Sequence, residues 1–284
     1  MLVHDPGIDL SKLKRNPRLV ARWALQRISS PWRGMPSFLL IGAQKCGTTS
    51  LFNYLAMHPQ VAAPFRKEIK FFDCNYSEGI DWYRAHFPLR SRLRAGRTTG
   101  EASPYYIFHP LAAARIHDLL PQAKLIAILR NPVDRAYSHY QHMVRSGREM
   151  LTFERALDQE RTRLEGEEER IVRDPAPPLY NHMYLSYTAQ GIYVNHLRRW
   201  RSIFPAGQML ILRSEDFFTS PALVYTEALK FLGLDEWTPK GFAVLNEGKY
   251  SPMQAATRAR LVEYFRPYNR ELTELFGMKF DWDR

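Results

Sequence analysis

A lysine, a glycine and paired threonines stand together in the run GAQKCGTTSLFN, as Lys45, Gly47, Thr48 and Thr49. The apolar residues 38–41 precede them, a length that suits a buried strand. Leu51, Phe52, Tyr54 and Leu55 follow at spacings that fit a helix. A small-residue loop between strand and helix turns several backbone N–H groups toward one point at the helix N-terminus, and that point binds anions. Lys45 adds a full positive charge there, and the threonine hydroxyls add donors. A second cation, Arg130, directly follows the apolar run KLIAIL, with Ser138 eight residues further on. A guanidinium fork and a hydroxyl together suit a phosphate. A third candidate is Glu68 in KEIKFFD, a carboxylate whose neighbours Lys67 and Lys70 favour its charged form. Each has a plainer reading: a glycine turn with Lys45 solvated, an Arg130 salt-bridged to Asp134, a Glu68 in a charged surface turn.

These residues need a scaffold. Strands are expected at 38–41, 61–63, 99–102, 124–129 and 208–212. Helices are expected at 49–57, 80–87, 110–120, 133–145, 195–204, 221–232 and 257–276, the last broken at Pro267. Residues 67–73 read as a loop or helix start, 90–97 as a basic exposed connection, and the charged 153–173 as a solvated helix and loop. Strands alternating with helices imply an α/β fold, three-layer α/β/α, with a central parallel sheet covered on both faces. Ligands of such sheets bind at the carboxyl ends of the strands. Lys45 and Arg130 lie at two such ends, which suits one ligand with two separated anionic groups.

The loop is not a nucleotide-triphosphate loop, because Lys45 precedes Gly47 instead of following it. A P-loop kinase would also need a metal-binding Asp after a strand, and none stands there. What the loop does match is a set of motifs. GAQKCGTTSLFNYLAMHPQV, KEIKFFD, GEASPYY and LRNPVDRAYSHY, in that order, resemble the sulfotransferase superfamily. Among its branches the chain is most similar to the heparan-sulfate and related carbohydrate sulfotransferases, with a weaker likeness continuing to Trp282.

The resemblance implies a P-loop-like fold and the donor 3′-phosphoadenosine 5′-phosphosulfate (PAPS), with adenosine 3′,5′-bisphosphate (PAP) as product. It implies in-line sulfuryl transfer to a hydroxyl or amine of a carbohydrate, with no metal. It assigns Lys45, Cys46, Gly47, Thr48, Thr49 and Ser50 to the 5′-phosphosulfate loop, with Lys45 on the leaving phosphate. Arg130 and Ser138 match the 3′-phosphate motif, and Gly248, Lys249 and Tyr250 fall where the family has a basic loop over that phosphate. Glu68 aligns with the general base. The cytosolic branch uses a histidine instead, for which His58, His86 and His109 are the candidates. One position departs: several glycosaminoglycan relatives carry a lysine where Ala102 stands. Either Lys67 or Lys70 takes its place, or the acceptor differs, a lipid or small metabolite being the alternative. Acceptor contacts fall to the tyrosine-rich residues 180–193 and the basic stretch after Arg84. Animal relatives carry a Golgi membrane anchor; none is read in this sequence, which suggests a bacterial-type member or a trimmed chain.

Composition sets outer bounds. Of 284 residues, 45% are hydrophobic and 24% charged, which predicts a packed core and not disorder. The net charge of +11 favours anionic partners. A nucleic-acid module would interleave basic residues with aromatics in one region; here the charge is spread, and no nucleic-acid partner is expected. Two cysteines, Cys46 and Cys74, make neither a disulfide framework nor a zinc site and read as reduced thiols, a single disulfide being the alternative. No apolar run approaches the roughly 18 residues of a membrane span, and no secretory signal pattern opens the chain. A cytoplasmic protein without stable membrane insertion is expected. Residues 1–36 form a basic extension ahead of a single domain, 37–284. In it Leu19, Val20, Trp23, Ala24 and Ile28, with Leu25 beside them, give a helical stripe that reads as a short helix packed on the domain. A membrane-surface helix is the other reading.

Overall fold

The computed structural model describes residues 17–94, 96–174, 179–242 and 250–283. In chain order its elements are α1 (Pro17–Ile28), β1 (Phe38–Gly42), α2 (Thr48–Met57), α3 (Ile80–Arg84), β2 (Gly100–Ala102), α4 (Ala112–Leu119), β3 (Lys124–Leu129) and α5 (Pro132–Arg145). There follow α6 (Phe153–Leu164), α7 (Glu167–Arg173), α8 (Tyr180–Tyr184), α9 (Tyr193–Arg201), β4 (Met209–Arg213), α10 (Ser214–Thr219), α11 (Pro221–Leu232) and α12 (Ala255–Phe276). Short 3₁₀ turns join several of them.

The strands form one parallel sheet, in the order β2-β1-β3-β4. Phe38, Leu39, Leu40 and Ile41 are fully buried, as are Leu125, Ile126, Ile128 and Leu129. Successive strand residues point to opposite faces, so complete burial means helices cover both. That is the P-loop-like α/β/α layering expected. Each such side chain contributes roughly 1.5–3 kcal/mol by leaving water. The register pairs Leu40 with both Ala102 and Ile126, and Gly42 with Ala127. The carboxyl ends of β1, β2 and β3 therefore lie side by side, and the loops after them share one edge.

Several elements differ from expectation. Residues 61–63 make a single parallel bridge, Val61 to Thr98, instead of a strand. Pro64 has no N–H to extend that pairing. The helix from Ile80 stops at Arg84, ahead of Pro88. Residues 153–173 form two helices hinged at Gly166, whose φ is 70°, and they bury Phe153, Ala156, Glu160 and Ile171. α10 follows β4 with no intervening loop. Pro267 does not end α12, which runs on to Phe276. The stripe of α1 packs through Trp23, against Phe65, Trp82 and His86, while Val20, Leu25 and Ile28 face outward.

Candidate active site

The loop after β1 is braced from three sides. Ala43 N–H donates to the Ile128 carbonyl of β3 at 2.8 Å. The Ser214 hydroxyl of α10 donates to Cys46 O at 2.9 Å, and Arg130 Nη1 donates to Lys45 O at 3.4 Å. Gly47, at φ 97°, is the N-cap of α2. A side chain there would be strained by that φ and would press on Phe217 at 3.2 Å. Lys45 itself has a φ of 69°. Cys46 turns inward to Tyr193, and burial pushes its thiol up to about 11. Thr48 and Ser50 are also buried. Gln44, Lys45, Gly47 and Thr49 keep partial access to solvent.

Arg130 sits where β3 ends, and its carbonyl accepts from the Tyr193 hydroxyl at 2.9 Å. Asp134, the expected structural partner of Arg130, pairs instead with Arg258. The Arg130 fork is thus turned to the loop, not to its own helix. Asn131 caps α5, its Oδ1 accepting from Val133 N–H at 3.0 Å, and Pro132 takes the first helical position. Ser138 is buried two turns on. Tyr250 lies against Tyr137, one residue before it, with ring centres 5.5 Å apart. Gly248 and Lys249 lie outside the described residues.

Glu68 reaches the same edge by a different route. Lys67 Nζ hydrogen-bonds to the Thr49 hydroxyl of α2 and stands 3.5 Å from Glu68 Oε1. Lys70 Nζ stands 3.8 Å from Glu68 Oε2. Glu68 and Lys70 adopt φ values of 56° and 55°, unusual for residues other than glycine. The strand beneath holds them there. Glu68 N–H donates to Ala102 O at 3.1 Å, Lys70 N–H to the Ser103 hydroxyl at 3.1 Å, and Phe71 N–H to the Tyr106 hydroxyl at 2.9 Å. Ala102 is fully buried beneath this segment. Lys67 and Lys70 place two ammonium groups beside Glu68, above Ala102.

Cations converge on this edge. Burial, then Arg145 and Arg130, lower the Lys45 pKa to about 8. Burial, then Lys45, Arg145 and Arg148, lower His142 to about 4, with Glu68 opposing them. A concentration of positive charge that depresses its own members is a fit for a ligand with several negative groups.

His142 and Arg145 were not among the residues singled out from the sequence. The signal was there: Ser138, His142 and Arg145 recur at four and three residues, one face of α5. The three histidines that were singled out lie elsewhere. His58 accepts from Gln60 N–H and bonds to Asp235 O, His86 is buried between Trp23 and Trp82, and His109 accepts from Leu111 N–H. On the far side of Lys70, the Arg148 guanidinium lies 4.8 Å over the Tyr184 ring, and the Tyr180 hydroxyl donates to Arg148 O at 3.2 Å. Of the tyrosine-rich stretch, this part and Tyr193 border the site.

Known proteins resemble this chain. A model of the sulfotransferase domain matches residues 35–247. The solved structure of a sulfotransferase from Alicyclobacillus acidocaldarius is 31% identical and superposes with a TM-score of 0.67, covering 88% of this chain and 100% of that one. The membrane-associated sulfotransferase kil1 of Dictyostelium discoideum is 28% identical over 87% of this chain and 66% of its own. The bifunctional heparan sulfate N-deacetylase/N-sulfotransferase 2 of Bos taurus is 33% identical over 86% of this chain but only 30% of its own. The chain thus spans about two thirds and under one third of those two relatives. The matched residues contain the β1 loop, Glu68, Arg130 and Ser138, and with them the chain belongs to the sulfotransferase family.

Proposed function

We propose that the chain transfers the sulfuryl group of PAPS to a hydroxyl or amine of a carbohydrate acceptor. One observation carries this reading: the Lys45 loop, Arg130 and Glu68 meet at one sheet edge, linked by the Arg130–Lys45 and Lys67–Thr49 hydrogen bonds. Lys45 and the N–H groups ahead of α2 stabilise the negative charge that grows on the departing phosphate oxygen. Such preorganised donors act more strongly on the transition state than on the ground state. Arg130, with Ser138, binds the 3′-phosphate. Glu68 accepts the acceptor's proton as its oxygen or nitrogen attacks. Lys67 and Lys70 flank Glu68 at 3.5 and 3.8 Å and hold its carboxylate beside the loop. The carbohydrate class rests on the relatives named for heparan sulfate N-sulfation, and on Tyr180, Tyr184 and Arg148 at the site's rim, since tyrosine rings stack on sugars.

The test is transfer of radiolabelled sulfuryl from PAPS to a panel of desulfated polysaccharides, glycolipids and small alcohols. The expected result is product on a polysaccharide, with Glu68→Gln retaining PAP affinity while turnover falls roughly 10²–10⁴-fold, the usual cost of a lost general base. PAPS turnover on lipids or metabolites alone would reassign the acceptor. A Glu68→Gln enzyme of parental rate would remove the base from Glu68.

A further inference from the structure

We infer that the outward face of α1 docks this protein on an anionic lipid surface. A helix advances about 100° per residue. Trp23 and the buried Gln26 therefore share the inward side of α1. Ala21, Ala24, Leu25 and Ile28 share the opposite arc, with Val20 at its edge. Val20, Leu25 and Ile28 are 45%, 67% and 73% exposed, and Trp32 in the following turn is 66% exposed. The helix cannot roll to hide them. Trp23 is stacked on Phe65 with ring centres 5.9 Å apart and lies 4.5 Å from His86, which fixes its rotation. Ile80, on the α3 helix that packs against the Ser30–Trp32 turn, is a further exposed apolar residue.

Charge identifies the occupant. Arg18, Arg22 and Arg27 lie on α1, and no acidic residue occurs between Asp9 and Glu68. Arg33 donates to Phe87 O at 2.6 Å, and Arg90 donates to Arg33 O at 3.2 Å. These bonds bring the Arg90–Leu93 turn, with Arg90 and Arg92, to the end of the apolar face. The acid on neighbouring α3, Asp81, is paired with Arg84. Lys12, Lys14 and Arg15 stand just ahead of α1 in the sequence. An apolar arc edged by arginines, with a tryptophan at one end, matches the interfacial layer of a bilayer with anionic headgroups. A second copy of the chain would bring the same arginines against one another.

The experiment uses the full chain and flotation with vesicles of phosphatidylcholine, alone or mixed with phosphatidylserine. Binding is expected to the mixed vesicles only, weakening as salt is raised. Leu25→Asp with Ile28→Asp should weaken it at least about tenfold. Melting temperature and sulfuryl transfer to a soluble acceptor should stay as in the parent, because both side chains are exposed. Trp32 emission should shift to the blue on mixed vesicles, and that component should vanish in Trp32→Phe. Three results would overturn the inference: no flotation with mixed vesicles, equal flotation of the double variant, or a dimer in buffer that the double variant abolishes.

Discussion

Lys45 and Arg130 bind two ends of one ligand in this reading, and each leaves a different signature. Arg130→Ala should weaken PAP binding by about 1.5–3 kcal/mol, the worth of a charge-assisted phosphate contact. It should change the binding of adenosine 5′-phosphosulfate, which lacks the 3′-phosphate, far less. Calorimetry with both ligands decides, and equal losses would make Arg130 a brace of the Lys45 loop. Lys45 carries a proton signature. Its pKa in the free protein is about 8, held down by burial and by Arg145 and Arg130. A bound phosphate raises it, because opposite charge favours the ammonium form. PAP binding above about pH 8 should therefore take up a proton. Affinity should fall as pH rises through that value, by at most about tenfold per unit. Heats measured in buffers of different ionisation enthalpy report the uptake, and Lys45→Ala should abolish it.

At the scale of elements, β2 and the turn after it are the platform under Glu68. Left-handed backbone at Glu68 and Lys70 costs of order 1–3 kcal/mol per residue and persists only where surroundings over-determine it. Ala102, Ser103 and Tyr106 do so through the hydrogen bonds already described, and Arg115 adds one to Phe72 O at 2.9 Å. Within this platform Glu101 is fully buried, with the Tyr106 and Tyr83 hydroxyls beside its carboxylate. Burial, with Asp73 nearby, raises its pKa from 4.5 to about 8. The folded state then binds a proton that the unfolded state releases between those values. Stability from Glu101 is full below pH 4.5 and is lost as pH rises to about 8, at no more than about 1.4 kcal/mol per unit. The buried histidines act oppositely: His86, His109 and His182, lowered to about 3, favour the fold as pH rises toward 6.5. Glu101→Gln, compared with the parent by urea unfolding, should show a stability advantage that grows from about pH 4.5 to about pH 8. A constant difference across that range would refute an ionisable Glu101 in the platform.

These elements also mark what the sequence could tell. KLIAIL was legible because a strand buried on both faces is a continuous apolar run. The Lys45 loop was legible because its residues are contiguous. α10 was not, since Ser214 starts it at the very end of β4 with no breaker between. Its function is non-local as well: Ser214 meets Cys46 across 168 positions. The approach of His142 to Lys45 and Glu68 was hidden for the same reason, being fixed by the β1–β3 register and not by any local pattern. Pro267 marked a break that α12 does not make, because propensity yields to tertiary packing: Leu261, Val262, Phe265 and Leu272 on both sides of the proline are buried.

For the whole molecule, charge is the property that couples the site to its surroundings. The net charge is +11, and Lys45, Lys67, Lys70, Arg130, Arg145 and Arg148 gather around one edge of the sheet. Their combined field reaches beyond contact distance, about 30 Å at 0.01 M salt but only about 8 Å at 0.15 M. In the proposed reaction PAPS, negative at both of its phosphate ends, would be drawn into that field before any hydrogen bond forms. Raising salt across this range should lower kcat/KM for PAPS by about tenfold, the low end of electrostatic steering. Saturated kcat should hardly move, because in the proposed reaction Glu68, Lys67 and Lys45 act at distances too short for mobile ions to screen. The two quantities are separated by initial rates over a PAPS series at each salt concentration, with the acceptor saturating. A neutral osmolyte in place of salt should leave both unchanged. A kcat/KM that ignores salt would mean that capture depends on contacts made after encounter, and that the basic edge serves the bound ligand alone.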